Sequence, residues 1–173
     1  MEDVRDEGPS PRGDGMTLGE AWMRAVAEPE VAAAIEAVYV MVADQVAARG
    51  PACWASGRCC NFAAAGHRLY VTGLEAAYAT SRLGRTVSLG QVEAARARGD
   101  CPFLEGTLCG AHGVKPLGCR VYFCDRTAEA WQRELTERGL AMLREVHERF
   151  GIEYRYGEWR GVLEGVVGAE GRH

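Results

Sequence analysis

Seven cysteines, confined to two short segments, constrain this 173-residue chain more than any other feature of its sequence. In chain order they are Cys53, Cys59, Cys60, Cys101, Cys109, Cys119 and Cys124. An odd number of cysteines disfavours a complete set of disulfides and, in a chain with no export signal, favours metal or redox chemistry. All seven are therefore candidate metal ligands.

Composition and charge argue against several classes of protein. The length fits one domain with a hydrophobic core. The 20 basic and 24 acidic residues give a net charge of -4, which disfavours binding to nucleic acid through phosphate contacts. The longest apolar run in the early helical region spans only residues 37–43, so we expect no contact with a membrane. The N-terminus lacks the basic start and apolar stretch of a signal peptide, so we expect a cytoplasmic protein. No feature identifies a protein partner.

The chain is expected to form one helical domain. We expect a disordered arm over residues 1–15, a single cysteine-cluster domain over residues 16–168 and a tail over residues 169–173. Residues 68–71 and 152–156 are candidates for two short strands that pair with each other. The predicted fold class is mainly α, with at most one short β pair and two irregular cysteine-rich metal-binding loops.

Helix boundaries are marked by capping residues and by apolar spacing. Capping boxes, in which Ser or Thr stands three residues before Glu or Gln, predict helices that begin at Thr17, Thr72 and Ser88. Pro29 and Gly50 are suited to begin and end a further helix. Apolar residues at three- and four-residue spacing predict a long helix over residues 127–150 and a final helix around Trp159.

The second cysteine segment, residues 101–124, contains two prolines and four glycines. These residues predict a loop without regular structure, whose ordering costs conformational entropy. Metal–thiolate bonds can offset that cost, because the free energy of metal binding becomes available for folding. Both zinc and an iron–sulfur cluster fit the number of thiols, and the spacings match neither a Cys-x-x-Cys knuckle nor a ferredoxin. His67 and His112 are candidate additional ligands.

The order and flanks of these cysteines resemble a known family. The second segment reads Cys101-Pro102-Phe103-Leu104, Cys109, Lys115-Pro116 and Cys119-Arg120-Val121-Tyr122-Phe123-Cys124. It is similar to the second signature of the YkgJ-type cysteine-cluster family, described as zinc- or iron-chelating. The family's first signature, Cys-x-x-Cys-x-x-Cys-Cys, resembles residues 53–60, with Ser56 in place of its second cysteine. Lys115 stands where Arg is more usual, and His112 where the family often has Tyr.

The resemblance implies a mostly helical domain whose cysteines coordinate metal. Because Ser56 is a poor ligand, one site shared by residues 53–60 and 101–124 is favoured over two complete sites. A related cluster in flagellin lysine methylases implies an iron–sulfur cluster, but this chain is much shorter than those enzymes. Methyl transfer is therefore not carried over to it.

The leading hypothesis is a protein that binds zinc or an iron–sulfur cluster, with Cys119 and Cys124 as the individual cysteines most expected to be ligands. Arg58, Lys115 and Arg120 flank the thiols and would lower the electrostatic cost of thiolates. No set of catalytic residues stands out. The alternatives are an iron–sulfur enzyme, acting in redox or methyl transfer, and a metal chaperone or thiol sensor.

Overall fold

Eight helices form the body of the protein in residues 15–51 and 57–170, the parts of the chain that this computed structural model describes. They are α1 (Leu18–Ala27), α2 (Pro29–Arg49), α3 (Phe62–Ala65), α4 (Gly73–Arg82), α5 (Leu89–Arg98), α6 (Leu117–Val121), α7 (Glu129–Arg149) and α8 (Trp159–Glu170). The short strands are β1 (Tyr70–Thr72), β2 (Leu104–Glu105), β3 (Leu108–Cys109) and β4 (Tyr156–Glu158). The mainly α fold class is confirmed.

Helix starts follow the capping residues of the sequence. Thr17, Thr72 and Ser88 each form a complete capping box. The hydroxyl oxygen of the cap residue accepts a backbone N–H of the first turn, and the Glu or Gln side-chain oxygen accepts the backbone N–H of the cap residue. Pro29 occupies the first turn of α2, and Gly50 ends that helix in the left-handed conformation, with φ of 62°. A 3₁₀ turn, Arg126–Ala128, precedes α7, which therefore begins slightly later than predicted.

The strands agree only in part with the sequence prediction. β1 and β4 pair antiparallel, with Tyr70 opposite Glu158, which confirms the predicted pair a few residues along. The prediction of at most one β pair is wrong, because β2 and β3 form a second antiparallel pair inside residues 101–124. That segment also contains α6, so it is less irregular than predicted.

The domain limits can be compared at the C-terminal end. The predicted end of the domain at residue 168 falls inside α8, which continues to Glu170. The predicted N-terminal arm, apart from Gly15, and the last three residues of the predicted tail lie outside the described residues.

Close contacts between helices are made where glycine allows them. α1 packs against both α4 and α8, and α4 also packs against α8. Gly19 of α1 lies against the backbone of Gly165, and Gly73 of α4 lies against the indole of Trp22. That indole donates a hydrogen bond of 3.0 Å to the carbonyl of Glu153, so α1 also holds the segment that leads into β4.

In length and composition alone, α2 is the single helix in the described ranges that is apolar enough to cross a membrane. Its helical stripe packs on α7 and α6, and 33% of the apolar stretch is buried inside the protein. The sequence prediction counted uninterrupted apolar runs, which Glu36 and Asp44 limit to residues 37–43, whereas the mean hydropathy of the whole helix is lowered little by these few charges.

Gly19 gives a direct test of the α1–α8 contact. A Cβ at residue 19 would lie 2.7 Å from the carbonyl carbon of Gly165 and closer still to its oxygen, whereas a Cβ at residue 165 meets nothing within 4 Å. We expect Gly19→Ala to lower the free energy of unfolding by about 1–3 kcal/mol. Gly165→Ala, the matched control, should raise it by roughly 0.5–1 kcal/mol, because alanine is the better helix former. Urea unfolding measures both, and equal effects of the two changes would contradict the packing.

His147 predicts how stability depends on pH. Its ring is fully buried, Nδ1 lies 3.1 Å from the carbonyl oxygen of Glu153, and Nε2 has no hydrogen-bond partner. Burial lowers the pKa of His147. The unfolded chain therefore takes up a proton first, and stability is lost as pH falls below the unfolded pKa of about 6.5. His147→Phe should remove this part of the pH dependence in urea unfolding between about pH 5 and 7.5. If the difference in free energy of unfolding between the wild type and His147→Phe stayed constant with pH, this role of His147 would be contradicted.

Candidate metal centre

A β-hairpin explains how Cys101 and Cys109, which are separated by seven residues, come together. β2 and β3 are joined by a tight turn in which Gly106 has φ of 63°, a conformation that favours glycine. The register places Leu104 opposite Cys109. Since Cys101 lies just before β2, the hairpin returns Cys109 to its neighbourhood.

Cys101 and Cys109 each begin the same kind of turn. The carbonyl of Cys101 accepts the N–H of Leu104 at 3.1 Å, and the carbonyl of Cys109 accepts the N–H of His112 at 3.3 Å. Within these turns the N–H of Phe103 donates to the sulfur of Cys101, and that of Ala111 to the sulfur of Cys109. Such donors favour the thiolate over the thiol.

The first cysteine segment docks onto this hairpin through its backbone. Cys59 and Cys60 lie in the 3₁₀ turn before α3, and the carbonyl of Cys60 accepts the N–H of Cys101 at 2.8 Å. Gly57, with φ of 69°, approaches Thr107 so closely that a Cβ would lie 2.7 Å from the Thr107 oxygen. A side chain at residue 57 would therefore separate the two cysteine segments.

Three other thiols surround that of the buried Cys60. The Cys60 side chain lies close enough to those of Cys101, Cys109 and Cys59 for a thiol hydrogen bond, and this raises the pKa of Cys60 far above its ordinary value. Interaction with the Cys60 thiol in turn lowers the pKa of Cys59 and of Cys109 to about 6 and lowers that of Cys101. The single proton of Cys60 can be donated to one of these sulfurs at a time, and it favours the thiolate at the sulfur that accepts it.

A buried indole adds to the donors around Cys101. Trp159, at the start of α8, is completely buried, and its Nε1 has no hydrogen-bond partner of regular geometry among the described residues. The same N–H lies close enough to the Cys101 sulfur to lower the pKa of that thiol. A buried donor without a partner costs free energy, and a thiolate at Cys101 would reduce that cost. The sequence predicted a helix around Trp159 but not the position of its indole beside a thiol.

The remaining cysteines stand in three different positions. Cys119, in α6, is close enough to Cys101, Cys109 and Cys59 to feel their charge, and burial raises the pKa of its thiol. Cys124 is exposed, and its side chain hydrogen-bonds to that of Tyr122. Cys53 and Ser56 lie outside the described residues.

Both candidate histidines are engaged by other groups. His67 Nε2 lies 3.1 Å from the carbonyl oxygen of Cys59, and its ring packs 5.1 Å from that of Tyr122. His112 Nε2 lies 3.3 Å from Nζ of Lys115, whose charge lowers the pKa of His112. They therefore border the thiols without joining the Cys60 hydrogen bonds.

Two of the three flanking cations have defined roles. Lys115 lies near enough to lower the pKa of both Cys59 and Cys109. Arg120 instead holds the loop that carries Lys115, donating from Nε to the Lys115 carbonyl at 2.7 Å and from Nη2 to the Gly113 carbonyl at 3.2 Å. Arg58 is exposed and lines a cleft beside Cys124.

A buried carboxylate fixes the second cysteine segment to the helical body. Glu75, 1% exposed, accepts the N–H of Leu117 at 2.7 Å through Oε1. Its Oε2 accepts the N–H and the hydroxyl of Thr72 at 2.8 and 3.0 Å. Burial raises the pKa of Glu75, against the hydrogen bonds and the charge of Arg120. The capping box predicted the Thr72 bonds, but no sequence signal identified the bond to Leu117.

Removing the Glu75 carboxylate tests this attachment. Glu75→Ala leaves the buried N–H groups of Thr72 and Leu117 without partners, so we expect the free energy of unfolding to fall by about 2–5 kcal/mol. Glu75→Gln keeps one acceptor oxygen and should cost less. Amide hydrogen exchange at Leu117 should accelerate in both variants, and the exposed control Glu137→Ala should leave it unchanged. Unaltered exchange at Leu117 in Glu75→Ala would contradict the assigned bond.

No family model, curated protein or solved structure matches this chain. Within residues 15–51 and 57–170, no group of three or more His, Cys, Asp or Glu side chains is arranged so that it could hold a metal ion as the side chains stand. The resemblance to the YkgJ-type family therefore stays a prediction. The functional assignment rests on the chemistry of the thiols around Cys60.

Proposed function

We propose that this protein binds a single tetrahedral zinc ion that joins its two cysteine segments. The proposed ligands are the thiol of Cys60 and the three thiols that interact with it, those of Cys59, Cys101 and Cys109. Zinc with four protein ligands is a closed, structural site, so the metal's role here is to hold the loops together.

The observation that carries this proposal is that the backbone brings Cys60 to Cys101 and Cys109, through the 2.8 Å hydrogen bond from the Cys101 N–H to the Cys60 carbonyl and the hairpin register, with the Cys60 thiol close enough to three others to interact with them. Two sulfurs on a tetrahedral zinc, with Zn–S of about 2.3 Å, are separated by about 3.8 Å, which is close to sulfur–sulfur contact. Small side-chain rotations would then bring these sulfurs to the separations required by four thiolate ligands of one zinc ion. The proton of Cys60 would be released, because zinc binds the deprotonated form.

The surroundings of the thiols support negative charge at this place. Backbone N–H groups of Phe103 and Ala111 donate to the sulfurs of Cys101 and Cys109, and the indole N–H of Trp159 lies beside Cys101. Such donors orient metal-bound thiolates and spread their charge. Four thiolates on zinc carry a formal charge of -2, and Lys115 lies close enough to offset part of it.

Thiols within hydrogen-bonding range of a single thiol favour one ion over an iron–sulfur cluster. A cluster places its thiolates around a larger inorganic core, so their sulfurs are held further apart than the ligands of one ion. This favours the metal-binding hypothesis over the alternative of an iron–sulfur enzyme. Closed tetrahedral coordination likewise disfavours a chaperone, which needs ligands that exchange.

Metal analysis of the full chain, purified without oxygen, tests the proposal. We expect close to one zinc per chain and a colourless protein. Replacement of zinc by Co²⁺ should give the visible absorption of tetrahedral thiolate coordination. A strong chelator should lower the melting temperature, because the binding free energy is part of the folding free energy.

Cysteine variants separate ligands from neighbours. Cys60→Ser should abolish zinc binding, because the Cys60 thiol lies centrally, within interacting range of the other three proposed ligands. Cys124→Ser is the matched control and should keep the full zinc content, since its thiol contacts Tyr122 and is exposed. Metal-free wild type, a brown iron-loaded protein, or equal loss of zinc in the two variants would each contradict the proposal.

A further inference from the structure

A cleft lined by three tyrosines opens beside the cysteines. This aromatic cleft has a volume of 220 Å³, and its walls include Tyr70, Tyr122, Tyr156, Cys59 and Cys119. The three tyrosines are 44%, 41% and 43% exposed, so they leave large aromatic surfaces to solvent. Exposed aromatic surface gathered at one concave place is typical of a binding site.

The tyrosines are held in place by the fold. Tyr70 and Tyr156 belong to the paired strands β1 and β4, and their ring centroids are 5.8 Å apart. Tyr122, at the end of α6, packs 5.1 Å from the ring of His67. Since β1, β4 and α6 are all fixed to the helical body, a flat ligand would meet surfaces that are already formed.

A second pocket adjoins the aromatic cleft and carries positive charge. This basic pocket has a volume of 380 Å³, shares Phe62, His67 and Arg68 with the aromatic cleft, and adds Arg96 and Arg160. It is defined by its three arginines.

Two of these arginines are already neutralised. Arg96 forms an ion pair with Glu164, and Arg160 pairs with Glu158 at 2.8 Å. The Arg68 side chain makes no hydrogen bond or ion pair with any residue in the described part of the chain, and it lines both pockets. One unpaired cation therefore stands at the junction of an aromatic cleft and a basic pocket.

We propose that the two pockets form one binding site for a small molecule that has an aromatic ring and a carboxylate or phosphate group. The ring lies in the aromatic cleft against the tyrosines, and the anionic group pairs with Arg68 at the junction. A guanidinium suits this role because its planar donors match either oxyanion. The site is built from side chains other than the proposed zinc ligands, apart from Cys59 in one wall.

Four probes separate the contributions of ring and charge. Phenyl phosphate and phenylacetate carry both features, phenol carries only the ring, and inorganic phosphate carries only the charge. Binding to the full chain is measured by chemical-shift titration at low ionic strength. We expect one or both of the anionic aromatics to bind at least about tenfold more tightly than phenol and inorganic phosphate. The stronger of the two identifies which oxyanion the site prefers.

Variants assign the binding to this site. Arg68→Gln should weaken the better anionic aromatic by about fivefold or more while leaving phenol unchanged, and added salt should have a similar effect. Tyr122→Leu should weaken the binding of both the anionic aromatic and phenol. Arg138→Gln, an exposed arginine of α7, is the matched control and should change nothing.

Binding is measured with and without bound zinc, so that failure of the zinc proposal is distinguishable from failure of this one. Equal affinity for phenyl phosphate and inorganic phosphate would overturn the site, as would unchanged binding in Arg68→Gln. Absence of binding by all four probes in the millimolar range would also overturn it.

Discussion

The buried carboxylate of Glu75 is the interaction on which the arrangement of the cysteine loops depends. One of its oxygens completes the N-terminal cap of α4, and the other accepts the first N–H of α6. α6 has no side-chain cap of its own, because Pro116 precedes it. The core helix α4 thus supplies the acceptor that the short helix α6 lacks. The positions of Cys119, of Arg120 and of the loop that Arg120 holds all depend on this one attachment.

A second constraint is the backbone of the hairpin. Cys101 and Cys109 do not meet because of their spacing alone, since seven intervening residues fit many loops. They meet because Gly106 allows a tight turn, and because both cysteines begin turns whose N–H groups point to sulfur. The first segment joins them through the Cys60 carbonyl and the close approach of Gly57. Hydrogen bonding of the backbone therefore brings the thiols together without any metal–sulfur bond.

Local signals in the sequence predicted much of the fold. Three capping boxes, Pro29 and Gly50 located helix ends because each satisfies backbone groups within a few residues of itself. The sequence did not predict the second β pair, because strands of two residues carry almost no alternating pattern. It also missed the pairing of Glu75 with Leu117, 42 residues apart, and the indole of Trp159 beside Cys101, since these contacts depend on packing between distant elements. The thiols were predicted as a group, but which of them meet depends on tertiary structure.

Cys59 connects the zinc proposal to the proposed ligand site. Its thiol interacts with that of Cys60 on one side, and the residue lines the aromatic cleft on the other. The carbonyl of Cys59 also lies 3.1 Å from His67, which lines both pockets. A molecule in the cleft would therefore lie against a proposed metal ligand and against the histidine that contacts its backbone. Because one residue belongs to both sites, zinc binding and ligand binding would be coupled through the position of Cys59, and by linkage each would change the affinity for the other by the same factor.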